Sequence, residues 1–381
     1  MMGTAVYLHI PFCQAKCFYC DFLSFVRTES SITPQRYLQG LKQELALRGA
    51  ELKSAGWEVA TLYIGGGTPT VLELTELREL LTCCRRYLPL ASAPEWTVEA
   101  NPCTITPEVV KLLSAAGVNR LSLGVQDLCN RRLAGLGRLH TAEQAREAYL
   151  LCRDYFPAVA LDLMTALPGQ TTAQLLETLA VVCDWGPQHL SLYGLIVEEG
   201  TALAAQVEAG QVQLPDEDEV LAMFLAGRRY LQARGYEHYE IANYALPGYR
   251  CRHNLTYWQN RPYLGLGLGA HSYWHGVRWE NTRDPQTYLA QLAVGQLPLA
   301  VQTVVTPEMA MEDTMILGLR LVHGVSFAEF KKRFGQDLRQ VFQQEIKSLQ
   351  KLGLIECDEH YLRLSAKGLP LANLVFAEFL R

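Results

Sequence analysis

The sequence has no apolar run long enough to cross a bilayer: the stretch at its start, Ala5 to Ile10, falls far short of the ~20 residues a helical span needs. Charge is sparse and carries no positive surplus. Charged residues make up 19% of the 381, the net charge is -5 and the pI is near 6.0, so a surface built to neutralise many phosphates is excluded and nucleic acid is not an expected partner. Basic residues are missing ahead of the first apolar stretch (Met1-Met2-Gly3-Thr4-Ala5), so no secretory leader is expected. The 11 cysteines are an odd number in a chain without such a leader, which argues against a disulfide framework and for a reducing, cytoplasmic setting. Internal repeats and low-complexity segments are also lacking. A hydrophobic share of 49% assures a packed core.

Short β-branched or aromatic runs alternate with amphipathic stretches along the first half, the pattern of parallel strands joined by helices. The predicted strands are Ala5 to Ile10, Ala60 to Ile64, Trp96 to Ala100, Arg120 to Val125, Val159 to Met164 and His189 to Tyr193. Start signals place helices between them: Thr33-Pro34 opens Gln35 to Lys53, Thr75 opens Glu76 to Tyr87, and Thr106-Pro107 opens Glu108 to Ala116. Further starts fall near Thr141 and at Thr171-Thr172. The resulting α/β succession, (βα)6, fits a doubly wound sheet or an incomplete barrel, and periodicity does not separate them; in both, ligands gather at the carboxyl ends of the strands.

After Tyr193 the pattern becomes irregular, with a helix near Asp216 to Ala233 and a Tyr-, Asn- and Gly-rich region from Tyr236 to Trp279. From about Thr306 the composition turns helical (Pro307 to Leu321, Ser326 to Phe334, Leu338 to Leu352), followed by a β ribbon around Leu354 to Leu364. Residues 1-300 and 301-381 are therefore read as two domains, the second smaller, mostly helical and winged-helix-like. Its basic cluster Lys331-Lys332-Arg333 lies amid Glu329 and Asp337 and reads as a solvated helix face rather than a DNA-binding surface.

Cys13-Gln-Ala-Lys-Cys17-Phe-Tyr-Cys20 places three thiols in a loop directly after the first strand. Thiolates so spaced can wrap one 4Fe-4S cubane and leave its fourth iron without a protein ligand. A structural zinc site is the alternative, but it normally takes four ligands in pairs, and no second close pair of that kind is present; Cys83 and Cys84 are adjacent on a helix and face different ways.

With Tyr7-Leu-His-Ile-Pro-Phe-Cys13 and Tyr19-Cys20-Asp21-Phe22 around it, the CxxxCxxC motif resembles the radical S-adenosylmethionine (SAM) superfamily, and within it the coproporphyrinogen oxidase branch and its HemW haem chaperones. The resemblance covers nearly the whole chain. It implies a partial (β/α)6 TIM-like barrel with a cluster on Cys13, Cys17 and Cys20. It also implies that SAM chelates the open iron and that an electron from the cluster, received from a separate donor, cleaves the sulfonium to a 5′-deoxyadenosyl radical.

Gly65-Gly66-Gly67-Thr68-Pro69-Thr70 follows the second strand; its glycines let backbone approach a ligand, or simply make a tight turn. The resemblance gives SAM contact to Gly66, Gly67 and Thr68. It gives the same role to Glu99 in Thr97-Val-Glu-Ala-Asn-Pro102, Gln126 in Gly124-Val-Gln-Asp127, Arg138 in Gly137-Arg-Leu139, Asp162 in Leu161-Asp-Leu163, and Tyr7. A carboxylate such as Glu99 at the end of a buried strand costs free energy unless paired, a cost that a cationic ligand offsets; a satisfied strand-end polar group is the plainer reading.

Arg252-His253-Asn254-Leu-Thr-Tyr257-Trp258, then Tyr263-Leu-Gly-Leu-Gly-Leu-Gly-Ala-His271-Ser272, is the second distinctive segment. A His beside aromatics offers an axial imidazole and a flat apolar surface to a porphyrin, or is a hydrogen-bonded core His. The HNxxYW arrangement resembles the haem-binding motif of HemW proteins, which implies His253 as haem ligand, with Cys251, His271 and His275 as alternatives nearby.

Two departures separate the chain from the oxygen-independent coproporphyrinogen III oxidase. That enzyme carries a further Cys two residues beyond its third cluster ligand, where this chain has Phe22, and it has a long extension before the cluster strand, where twelve residues precede Cys13 here. The expected function is therefore a cytoplasmic haem chaperone with no assigned catalytic residue, receiving haem from a donor and delivering it to apo haemoproteins of respiration, with a homodimer as a candidate assembly. Oxidative decarboxylation of coproporphyrinogen III is the alternative.

Overall fold

The computed structural model describes residues 2–380. One twelve-stranded sheet dominates it: β1 Met2–Ile10, β2 Trp57–Gly66, β3 Leu90–Ala100, β4 Arg120–Gln126, β5 Ala158–Thr165, β6 His189–Gly194, β7 Glu237–Glu240, β8 Asn243–Ala245, β9 Tyr263–Leu266, β10 His271–Trp274, β11 Val277–Asn281 and β12 Leu299–Val304. All six predicted strands are present, and they lie side by side in chain order from β1 to β6, every pair parallel. Their register aligns Leu8 with Ile64, Ile64 with Val98, Val98 with Leu121 and Leu121 with Val159, a row of side chains fully shielded from solvent. Continuous burial along β4 and β5 is what a parallel strand covered on both faces requires.

The region from Tyr236 to Trp279, expected to be irregular, instead widens this sheet at both edges. β9 joins β1 as a seventh parallel strand, followed outward by antiparallel β10, β11 and β12; antiparallel β8 and β7 extend the other edge from β6. These strands are three to six residues long, too short to show a period. Among the described residues no ladder joins β12 to β7, and the twelve strands form one α/β sheet.

The helices start where capping chemistry puts them, with one shift. Thr33, Thr106, Thr141 and Thr171 each accept a backbone N–H of the first turn. The helix expected from Glu76 begins at Leu74, because Glu73 caps it and the Glu76 carboxylate reaches back to the Glu73 N–H at 2.8 Å.

A second hydrophobic core runs from Met311 to Phe379, distinct from the main one that runs from Val6 to Leu292. The helix expected over Leu338 to Leu352 is two pieces, Leu338–Val341 and Gln343–Lys351, interrupted at Phe342. Phe342 is buried edge-on against Phe379 and Phe330, so aromatic packing sets the break. The predicted ribbon is Ile355–Cys357 paired with Tyr361–Leu364, to which Val325–Ser326 adds a third strand. The expected helix from Pro307 ends at Gly318 rather than Leu321. The second core is tied to the sheet by Arg320, which stands 4.2 Å over the Trp258 ring and 3.4 Å from Glu240.

Candidate functional site

The carboxyl ends of β1 to β6 open onto one cavity of about 390 Å³. A parallel sheet presents its strand-end loops on a single rim, and ten of the twelve residues expected to bind a cofactor line this space: Cys13, Cys17, Cys20, Gly66, Gly67, Thr68, Glu99, Gln126, Arg138 and Asp162. Tyr7 and His253 do not.

The three cysteines occupy the mouth. Cys13 is held by a two-residue parallel pairing with Val26, and the Cys20 N–H donates to the Cys17 carbonyl at 3.2 Å, so the loop folds back on itself. None is in a disulfide. Burial pushes the Cys13 and Cys20 thiols up, opposed at Cys13 by Thr68, whose hydroxyl donates to the sulfur at 3.7 Å. The Arg138 guanidinium donates to the Cys17 sulfur at 3.5 Å.

The glycine turn is built around close approaches. Gly66 has φ 105°, and a Cβ there would come within 2.2 Å of the His9 ring; a Cβ on Gly67 would sit 2.6 Å from the Phe12 carbonyl. Gly67 and Thr68 donate their N–H groups to Ile10 and Phe12 at 2.9 and 2.7 Å, which staples the turn to the segment leading into Cys13. Sequence reasoning missed Asn101, which links these parts: its amide donates to the Thr68 hydroxyl at 2.8 Å and its oxygen accepts from Arg138 at 2.6 Å. Its signal was available, a polar residue before Pro102 at the end of a buried strand.

Glu99 accepts from the Tyr63 hydroxyl at 2.7 Å and from the Gly66 N–H at 3.0 Å. Both donors are neutral. Burial therefore dominates and raises its carboxyl to about 7, the two hydrogen bonds pulling the other way. Asp162 is likewise raised by burial, against the Ser191 and Ser122 hydroxyls that support it. Gln126 has φ 66°, a left-handed conformation uncommon for a side chain larger than Gly, at an irregularity in the β4–β5 ladder. Backbone strain of this kind collects at ligand sites.

The donor set suits an iron–sulfur cluster with SAM beside it. Three free sulfurs meet two polar donors, and the buried Arg138 Nε has no acceptor. Among the described residues no three His, Cys, Asp or Glu converge as around a single metal ion; a cubane spreads its thiolates over separate iron corners.

A second cavity of about 610 Å³ adjoins the first, and Gly66, Glu99 and Phe22 border both. Tyr7 lies here instead, its hydroxyl 3.0 Å from His9 Nδ1. Tyr257, Trp258 and Tyr263 supply aromatic wall, and His271 stands at the edge. His253, expected as haem ligand with a hydrogen-bonded core His as the alternative, lies outside the lining of both cavities. Its side chain is 1% exposed, Nδ1 is 2.8 Å from the Thr61 hydroxyl, Nε2 is 2.8 Å from the Tyr257 hydroxyl, and the ring stacks on Tyr63. Burial lowers its imidazole to about 3. Of the alternatives, Cys251 is buried against the first cavity, and His275 is exposed and lines neither.

Fold and site together define a radical SAM protein, and the model of the Radical SAM superfamily matches residues 7–182, with that of the HemN C-terminal domain matching 305–371. A solved structure of coproporphyrinogen III oxidase (HemN) from Escherichia coli, described as a radical SAM enzyme, superposes with a TM-score of 0.85 over 98% of this chain and 89% of that one, at 24% identity, which establishes a common fold. Proteins called heme chaperone HemW are similar throughout. That of Bacillus subtilis (strain 168) is 36% identical, covering 99% of each chain; that of Lactococcus lactis is 35% identical over 99% of this chain and 97% of its own; that of Escherichia coli (strain K12) is 38% identical over 75% of each. The chain belongs to the HemW heme chaperone family.

Proposed function

We propose that this protein binds haem and transfers it to apo haemoproteins of respiration. Cys13, Cys17 and Cys20 hold a 4Fe-4S cluster, and Gly66, Gly67, Thr68, Glu99, Gln126, Arg138 and Asp162 receive SAM. The observation that carries the reading is the convergence of three free thiols, the glycine turn and a buried, cation-seeking carboxylate in one cavity, in a chain whose full-length relatives are called heme chaperones. Bound there, a cluster would supply an iron for SAM to chelate and an electron for cleavage of its sulfonium.

The chain's own residues do the rest. Thr68 and Arg138 donate to the sulfurs and moderate the negative charge of three clustered thiolates. Asn101 keeps both donors in place. Glu99 and Asp162 face the same cavity and offset positive charge brought by the ligand. Tyr7, one layer removed, fixes His9 behind Gly66 and so shapes the turn rather than touching SAM. Residues 1-300 form the cofactor-bearing unit and 301-381 a cover seated on it. Among the described residues no helix is long and apolar enough to cross a membrane; we place the protein in the cytoplasm, with a haem donor, an electron donor and a second copy of the chain as candidate partners.

Anaerobic reconstitution with iron and sulfide, followed by haem titration with and without SAM, tests this. Stoichiometric haem uptake without conversion of coproporphyrinogen III is expected. Turnover of that compound to protoporphyrinogen IX would replace the chaperone reading with the oxidase one.

A further inference from the structure

We propose that the iron porphyrin sits in the second cavity and that His271, not His253, is its axial ligand, with Arg261 and Arg283 receiving the propionates; this rests on the haem-binding reading above. An iron porphyrin needs a flat apolar slot, an imidazole able to reach the iron from the ring's face and cations where the carboxylates emerge. The second cavity offers these three together. Tyr257, Trp258 and Tyr263 form wall, and Phe22 stands exposed at 63% on the partition toward the cysteines. His271 lines the same space with a side chain 59% exposed.

His271 Nε2 lies 3.8 Å from Glu280 Oε1, too long for a hydrogen bond, so the carboxylate stands beside the imidazole without tying up a ring nitrogen that iron would use. Arg261 and Arg283 are both exposed and both line the cavity, and Arg283 pairs with the same Glu280. Two guanidinium groups match two propionates. His253 acts at one remove. Its imidazole spans Thr61 and Tyr257, so it is a positioning residue that fixes the Tyr257 ring facing the porphyrin. Coordination by His253 would break a buried hydrogen bond on whichever nitrogen it used.

The test is haem titration of reconstituted protein, read by absorption and by electron paramagnetic resonance. His271→Ala is expected to lose the parental axial-imidazole spectrum and about tenfold or more in affinity, with added imidazole restoring the spectrum. His253→Gln is expected to keep that spectrum with weaker binding. Arg261→Ala/Arg283→Ala is expected to weaken haem but not haem dimethyl ester, whose carboxylates are blocked. Cluster iron content checks that each variant is folded. If His271→Ala binds haem with the parental spectrum, or His253→Gln alone loses it, the assignment is overturned while haem binding stands. If the parent itself takes up no haem, the underlying reading fails instead.

Discussion

Glu99 gives the site a proton balance that can be worked out in advance. Burial raises its carboxyl from 4.5 to about 7. A carboxyl raised in the folded state favours the fold below its unfolded pKa, and that contribution is lost as pH rises through the folded value. The gap amounts to about 3 kcal/mol of stability forfeited between about pH 4.5 and pH 7 in protein without ligand. Binding of a sulfonium cation in the cavity reverses the preference and ionises the group. At about pH 6 a carboxyl of pKa about 7 is about 0.9 protonated and at about pH 8 about 0.1, so its proton release on ligand binding differs by that much between the two conditions.

Calorimetry of SAM binding to reconstituted protein, in buffers of different ionisation enthalpy, counts those protons. Other groups, including the amine of SAM itself, also release protons, so the informative quantity is the difference between the parent and Glu99→Gln. That difference is expected to be about 0.9 proton at about pH 6 and to fall to about 0.1 at about pH 8. The amide retains a carbonyl to accept from Tyr63 or Gly66, which limits disturbance of the turn. Equal proton counts for parent and variant at both pH values would refute the argument that Glu99 is the group answering the ligand's charge.

Three shorter predictions use the same geometry. Cys17→Ala should abolish cluster absorbance after reconstitution, whereas Cys103→Ala, at an exposed thiol on the same rim that reaches Gln14, should leave iron content at the parental level. Gly67→Ala puts a Cβ against backbone atoms of Ile10 and Phe12, which cannot swing aside; a stability loss of about 1–3 kcal/mol in urea unfolding and poor iron retention are expected, because the strain falls on the segment that carries Cys13. His253, lowered to about 3, is held neutral by burial, so its share of stability is complete above 6.5 and disappears as pH falls toward 3; acid unfolding of His253→Gln should be less steep than that of the parent over this interval.

Much of the site was legible because its chemistry is written in local patterns. The CxxxCxxC spacing, the glycine run and the strand-end polar residues each sit directly after a predicted strand, and a parallel sheet brings such positions to one rim whatever the exact strand limits. Tyr7 and His253 show where that logic stops. Both lie in motifs, yet which side of a strand or helix faces a cavity depends on partners distant in sequence: Thr61 is 192 residues from His253, and it settles the ring's orientation. The outer strands were illegible for another reason, since β8 has three residues and β10 four, and pairing with neighbours rather than propensity makes them strands. Phe342 likewise breaks a segment of good helical periodicity because two other phenylalanines hold it inward.

The two cavities are separated by very little, and the nature of the partition ties their occupants together. Gly66 donates its N–H to Glu99, and both of them and Phe22 border the two cavities. A ligand that draws a negative charge onto Glu99 from the cluster side places that charge on the wall of the second cavity as well. A porphyrin there would screen the same carboxylate further from solvent and raise the cost of its charge unless a cation lies opposite. With SAM and haem in the two cavities as proposed, the ligands would report on each other through one titrating group, and linkage requires the factor by which SAM changes haem affinity to equal the factor by which haem changes SAM affinity. Removing the carboxylate removes that coupling while leaving the thiols, the aromatic walls and His271 as they are, which separates communication between the sites from the capacity of either one to bind.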